Sequence, residues 1–197
     1  MGYQKLICTP HILSDLYRNS PETILPKLDE VKKAIHAADI DIKLEAAAEY
    51  MVDVDMETYL KSKKPMLSFG NKLVLIEMSY LVESPNMEQV IFELRMQGYQ
   101  PVLAHPERYN FYHQQFDKYE RFVDMGCYMQ VNLLSLLGYY GKPVKAIAEK
   151  LVKNKMVDLV GTDMHHERHL AALEELASRK DFYQMLGELN LKNKELL

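Results

Sequence analysis

Strand-like runs that end in an acid, an amide or a histidine recur along this chain at the interval of one β-strand plus one helix. They cover residues 6–11, 40–49, 73–77, 101–105, 128–132 and 157–163. The terminal residues Glu49, Glu77, His105, Asn132 and Asp163 follow one another at 28, 28, 27 and 31 positions, close to the roughly 30 residues of a βαβ unit. Parallel strands place their carboxyl ends on one face, so side chains far apart in sequence converge there. That face is where chemistry is expected.

Segments with apolar residues every three or four positions separate the runs, the mark of amphipathic helices. Ser20 is placed to cap the first, with Pro21 at its first position and Ile24, Leu28, Val31 and Ile35 as its stripe, ending near Asp39. Asn86 opens the next, which Gly98 stops. Further helices are expected over 115–126, 143–154, 166–178 and 182–189, with a short one between the second and third runs and a loop over 62–71. The order β-α-β-α-β-α-β-α-β-α-β-α-α implies an α/β fold with a parallel sheet buried on both faces. An open doubly wound sheet and a barrel both fit it. Ligands offered by nearly every strand favour the barrel.

At 197 residues with 48% apolar content, a single domain over 1–197 is expected. A net charge of -4 and a pI near 6.0 argue against a sequence-independent grip on nucleic acid, which needs a basic face. No apolar run reaches the length that spans a bilayer, and the amino terminus lacks a signal-peptide pattern, so a cytoplasmic chain without membrane insertion is expected. Cys8 and Cys127 lie in apolar stretches and read as buried free thiols. Neither is followed by arginine six positions on, where Ser14 and Leu133 stand, which excludes a cysteine phosphatase of the usual pattern.

The densest motif is Gly161-Thr162-Asp163-Met164-His165-His166. Asp-x-His on extended backbone aims both side chains one way, a natural ligand pair; a helix-capping aspartate with surface histidines fits as well. His11 after Pro10 and His105 before Pro106 sit where proline turns the chain out of the sheet. Glu49 and Glu77 end apolar runs, where a carboxylate is costly unless it is paired or bound to a cation. Imidazole and carboxylate together suit manganese, iron or zinc. Arg108 lies one turn beyond His105, and its fork of donors matches phosphate oxygens, although a pair with Glu107 or Asp117 is also open. Metal-assisted phosphate ester hydrolysis fits this set. Tyr50, Tyr80, Tyr109, Tyr139 and Tyr140 follow the runs and could stack on an aromatic substrate at the mouth.

The stretches Thr9-Pro10-His11, Ala48-Glu49-Tyr50, Leu75-Ile76-Glu77, Ala104-His105-Pro106-Glu107-Arg108-Tyr109, Gln130-Val131-Asn132 and Gly161-Thr162-Asp163-x-His165 occur in this order over essentially the whole chain. They resemble the bacterial capsule- and exopolysaccharide-locus protein tyrosine phosphatases of the PHP (polymerase and histidinol phosphatase) superfamily. The resemblance implies a distorted, TIM-like β/α barrel with up to three divalent ions, commonly manganese. It further implies dephosphorylation of tyrosines on a bacterial tyrosine autokinase that regulates polysaccharide assembly. By the same resemblance Glu49, Glu77 and His105 form one metal site, and Glu49 bridges to a second ion that Asp163 also holds. His11 and His165 belong to a third site, Arg108 contacts the phosphate, and Tyr50 and Tyr109 lie on the substrate side.

One feature of the family is absent from this sequence: a first strand carrying His-x-His, one strand-and-helix unit ahead of the Thr-Pro-His motif. The expectation is therefore an incomplete barrel that holds one or two ions. Exposed edges at the 6–8 and 157–160 strands would invite self-association, and activity would be weakened. A degenerate, non-catalytic PHP-fold binding protein and a phosphatase for small molecules such as histidinol phosphate are the alternatives.

Overall fold

The computed structural model describes residues 2–13 and 16–197, apart from the side chain of Asp181. The chain groups into two compact units, one of residues 2–79, 84–102 and 196–197, the other of residues 80–83 and 103–195. The first is called the amino-terminal unit and the second the carboxy-terminal unit.

In the amino-terminal unit the elements are β1 (Lys5–Cys8), β2 (His11–Ile12), α1 (Pro21–Ala37), β3 (Lys43–Ala46), β4 (Glu49–Met51), α2 (Val54–Lys61), β5 (Leu73–Glu77), α3 (Met87–Met96) and most of β6 (Gln100–Ala104). The strand order is β2-β4-β5-β6, with β1 and β3 paired separately. The pairs β1·β3, β2·β4 and β4·β5 all run parallel. The expected strand over 40–49 is thus two. Ala47 and Ala48 are fully buried at the break, where Ala47 N–H donates to Cys8 O at 2.8 Å and Ala48 N–H to Leu67 O at 3.2 Å. The chain changes partners there, so β4 delivers Glu49 into the larger sheet.

Burial follows the same division. Every residue of β5 is buried, as a central parallel strand requires, while β1 and β3 contain no buried residue. Cys8 is consequently exposed, contrary to the buried thiol expected of it; Cys127 is buried as expected. Helix α1 packs on β3 and buries Ile24, but Val31, assigned to its apolar stripe, is 47% exposed. A helix lying over a two-stranded sheet has too little apolar surface beneath it to cover a full stripe. At the start of α1 the Ser20 N–H donates to Thr23 Oγ1 at 2.9 Å, with Pro21 where a missing donor costs nothing. Asn86 precedes α3 as expected, yet its side chain makes no cap and donates instead to Glu57 Oε1 at 3.1 Å.

The carboxy-terminal unit holds the end of β6, 3-10 turns at Pro106–Arg108 and Asn110–Tyr112, α4 (Asp117–Asp124), β7 (Tyr128–Asn132), α5 (Leu133–Leu137), α6 (Lys142–Lys153), β8 (Leu159–Gly161), α7 (Glu167–Ala177) and α8 (Lys180–Gly187). Its strands are ordered β6-β7-β8, with β7·β8 parallel. Tyr112, Tyr119, Phe122, Met129, Leu134 and Leu151 fill its core. Gly126, at φ 83°, supplies the left-handed turn between α4 and β7. The exposed edge expected at residues 157–160 is covered at Val160: the Asn193 side chain accepts from its N–H and donates to its carbonyl, both at 2.9 Å. An amide laid against a strand in this way satisfies the groups a further strand would have taken. Among the described residues no helix is long and apolar enough to cross a membrane.

Candidate active site

Each unit assembles its own group of the strand-end residues. In the amino-terminal unit, β2 pairs with β4 so that His11 stands opposite Glu49. β4 pairs with β5 so that Met51 stands opposite Glu77. Two parallel registers thereby bring three residues of three strands to one place. His11 Nδ1 lies 2.7 Å from Glu77 Oε1 and 3.2 Å from Glu49 Oε2, and one ligand atom from each residue falls within 4.8 Å of the others. Glu49 and Glu77 are 4% and 3% exposed. Hydrogen bonds to Glu49 and Glu77 push the His11 imidazolium up to about 10, so a proton on the ring offsets part of the negative charge of two buried carboxylates.

This donor set fits a divalent cation. Ligands about 2.0–2.2 Å from one ion lie a little over 3 Å apart, near the separations already present, and an ion would supply the positive charge that the imidazole proton supplies here. The resemblance grouped His11 with His165; the structure brings His11 to Glu49 and Glu77.

In the carboxy-terminal unit His105 ends β6 with φ 34° and ψ 53°, a left-handed conformation ahead of a proline. Side chains other than glycine seldom adopt it, and the residue before proline favours extended backbone. Strain of this kind is characteristic of functional positions. The ring is buried, and its Nε2 lies 3.2 Å from the Tyr80 hydroxyl. Pro106 then starts the turn that carries Glu107 and Arg108.

Arg108 pairs with Asp163, not with Glu107 or Asp117: its NH1 donates to Asp163 Oδ2 at 2.8 Å. Asn132 Nδ2 donates to the same oxygen at 2.8 Å. The guanidinium carbon lies over the rings of both Tyr80 and Tyr140, 4.4 and 4.3 Å from their centroids. Asp163 has φ 46°, so the extended geometry expected of Asp-x-His does not hold there. The two side chains still meet, with His165 Nδ1 3.4 Å from Asp163 Oδ1 and 3.0 Å from its carbonyl oxygen. His165 stays half-exposed.

Of the five tyrosines expected at the mouth, Tyr50 and Tyr109 are corrected: they lie in the core at 2% and 0% exposure. The Tyr50 hydroxyl accepts from Leu67 N–H at 2.8 Å, and burial holds its phenol well above the usual range. Tyr80 and Tyr139 are the exposed ones, at 40% and 41%.

Two residues that carry this group gave little sign of it in the sequence. Glu107 reads as a surface partner for Arg108, yet it is fully buried. Its Oε1 accepts from Asn132 N–H at 2.9 Å and from Ser135 Oγ at 2.5 Å, and burial raises its carboxyl above the ordinary value. His169 is buried, faces Tyr139 edge-on and lies 3.2 Å through Nδ1 from the Asp163 carbonyl; burial lowers its imidazolium. The available signal was its position about one turn after the His165-His166 pair.

The family model described as capsular polysaccharide synthesis, CpsB/CapC, matches residues 1–188. The tyrosine-protein phosphatase YwqE of Bacillus subtilis (strain 168) is 30% identical over 200 residues, which cover 100% of this chain and 78% of that protein. The tyrosine-protein phosphatase CpsB of Streptococcus agalactiae serotype V is 25% identical over 170 residues, covering 84% and 70%. Among solved structures, the chain matches one from a study of YwqE from Bacillus subtilis and CpsB from Streptococcus pneumoniae, described as unique metal-dependent tyrosine phosphatases. That match has a TM-score of 0.76 and 27% identity, over 94% of this chain and 78% of the other.

Proposed function

The chain belongs to the CpsB/CapC family of capsular polysaccharide synthesis, and from that membership we propose that it is a metal-dependent phosphatase that hydrolyses phosphotyrosine on a protein. The observation that carries the reading is the meeting of His11, Glu49 and Glu77, two buried carboxylates and an imidazole with ligand atoms within 4.8 Å. These three residues would hold a divalent cation, manganese by the resemblance. His105, Asp163 and His165 are the candidate ligands within the carboxy-terminal unit. When bound, such an ion supplies positive charge beside the phosphoryl group and lowers the pKa of water it contacts.

The protein's own part is to bind and orient. In the metal-free chain the proton sits on His11; the Glu49 and Glu77 carboxylates and a neutral His11 imidazole would hold the cation, so loading the site would release that proton. Arg108, fixed by Asp163 and by two tyrosine rings, presents its remaining donors to the phosphate oxygens. The substrate in this reading is a phosphotyrosine of a bacterial tyrosine autokinase, and the compartment is the cytoplasm.

The test is turnover of a phosphotyrosyl peptide by the manganese-loaded chain, beside a phosphoseryl peptide and histidinol phosphate. Activity on the phosphotyrosyl peptide that is lost on chelation and in Glu77→Gln is the expected result. Faster turnover of histidinol phosphate would replace the substrate assignment. Phosphotyrosine turnover indifferent to chelation would overturn the metal role.

A further inference from the structure

We propose that Tyr80 and Tyr140 are positioning residues that clamp the Arg108 guanidinium against their two rings and fix the direction in which it meets an anion; the nature of that anion, a phosphoryl group, rests on the function proposed above. Both rings lie well inside the roughly 6 Å over which a cation is drawn to an aromatic face. A cation drawn to two ring faces at once loses much of its freedom to swing away. It is fixed further by the bond from NH1 to Asp163 Oδ2, an oxygen held in turn by Asn132 Nδ2. Guanidinium carries five N–H donors. With one nitrogen committed to Asp163, the rest of the fork is directed by the rings.

Ordinary core packing does not account for Tyr80, which is 40% exposed. It is held by its contacts, namely the hydroxyl at 3.2 Å from His105 Nε2 and the ring stacked 6.1 Å from Tyr109. Tyr80 therefore touches the arginine and the strand-end histidine at once. Tyr140 differs. Its hydroxyl is buried with no hydrogen-bond partner among the described residues, so nothing in the protein retains the oxygen. Burial and the negative charge of Asp163 push that phenol up to about 12, which keeps it neutral beside the arginine. The ring, not the hydroxyl, is what Arg108 uses.

The experiment reads the arginine directly by nitrogen-15 NMR of the metal-loaded chain, with the Arg108 Nε–Hε signal assigned by its disappearance in Arg108→Lys. A clamped guanidinium gives a signal shifted upfield by the ring currents and slow to exchange with water. Tyr80→Leu and Tyr140→Leu should each return it toward the position and exchange rate of a free arginine, and Tyr140→Phe should restore what Tyr140→Leu abolishes. For an aryl phosphate, each leucine variant should lower kcat/KM about tenfold. Added guanidinium should rescue Arg108→Ala but not Arg108→Ala combined with Tyr140→Leu.

An unshifted signal in the parent chain, or one unmoved by both leucine variants, overturns the clamp whether or not the chain turns over phosphate. Equal losses in Tyr140→Phe and Tyr140→Leu overturn the assignment to the ring. Full activity in Arg108→Ala with the NMR result intact would instead remove the arginine from phosphate recognition and leave the clamp standing.

Discussion

In the amino-terminal unit two buried carboxylates, Glu49 and Glu77, share a single imidazole. In the carboxy-terminal unit one carboxylate, Asp163, receives an arginine and an asparagine on the same oxygen. Glu77, His105, Asn132 and Asp163 end or follow their strands, whereas His11 and Glu49 open β2 and β4; both groups contain the histidine-plus-acid pattern that the sequence repeats. Their charge differs. The first group is short of positive charge, and its imidazole takes up a proton to make part of it good. The second has its charge balanced by Arg108 and its geometry fixed by Tyr80, Tyr140 and Glu107. Proximity of acids and histidines therefore does not by itself mark a cation site; the local balance of charge decides which group attracts an ion.

The sharpest break of this contrast comes from Glu77→Gln, which removes one of two buried carboxylates. Manganese affinity measured by calorimetry should fall by at least about a hundredfold, whereas Asp163→Asn should fall less if its neighbours already balance it. Equal losses would erase the distinction between the groups.

Next in size is Asp163→Ala, which leaves Arg108 against its two rings without its anion. Breaking a fully buried pair costs roughly 3–5 kcal/mol; with the arginine side chain 23% exposed, about 2 kcal/mol is expected, seen as a fall in Tm of about 5 °C. An unchanged melting curve would mean that the pair contributes nothing to the fold.

Glu107→Gln sharpens the same side with a smaller change. Burial already favours the neutral form of Glu107, and glutamine keeps an acceptor for Asn132 N–H and Ser135 Oγ. The variant should stay within about 1 kcal/mol of the parent in urea unfolding, while Glu107→Ala, which strands two buried donors, should lose about 2 kcal/mol or more.

The smallest effect is a pH dependence of the metal-free chain. The folded-state pKa of His11 is raised from 6.5 to about 10, so its contribution is complete below about 6.5 and disappears as the pH climbs toward 10. His11 is partly exposed, so solvent screening cuts its share below what the full shift would give. His11→Gln should flatten the fall in stability across that window, and an identical slope in the variant would assign the fall to other groups.

Strand ends were legible because burial imposes an unmistakable composition on a central parallel strand: Leu73-Val74-Leu75-Ile76 before Glu77 admits few other readings. Helix limits were legible to within a few residues where proline or glycine marks them, as at Pro21 and Gly98. Less legible were residues whose role depends on a distant partner. Tyr50 and Tyr109 have the same local setting as Tyr80, yet the first two are buried and the third is exposed. Glu107 looks like its charged neighbour Arg108 and faces the opposite way. The split of residues 40–49 into β3 and β4 depends on which carbonyls Ala47 and Ala48 find, and those belong to Cys8 and Leu67.

By itself the sequence determined the α/β order, the parallel character of the strands and the set of acids, histidines and arginine held near strand ends. Those properties follow from hydrophobic period and chain connectivity, which are local. Only the tertiary structure decided that His11 joins Glu49 and Glu77, and that Arg108 goes to Asp163 and lies over the rings of Tyr80 and Tyr140. Strand register and the competition of buried charges for partners act across tens of residues, and no local pattern in the chain records their outcome.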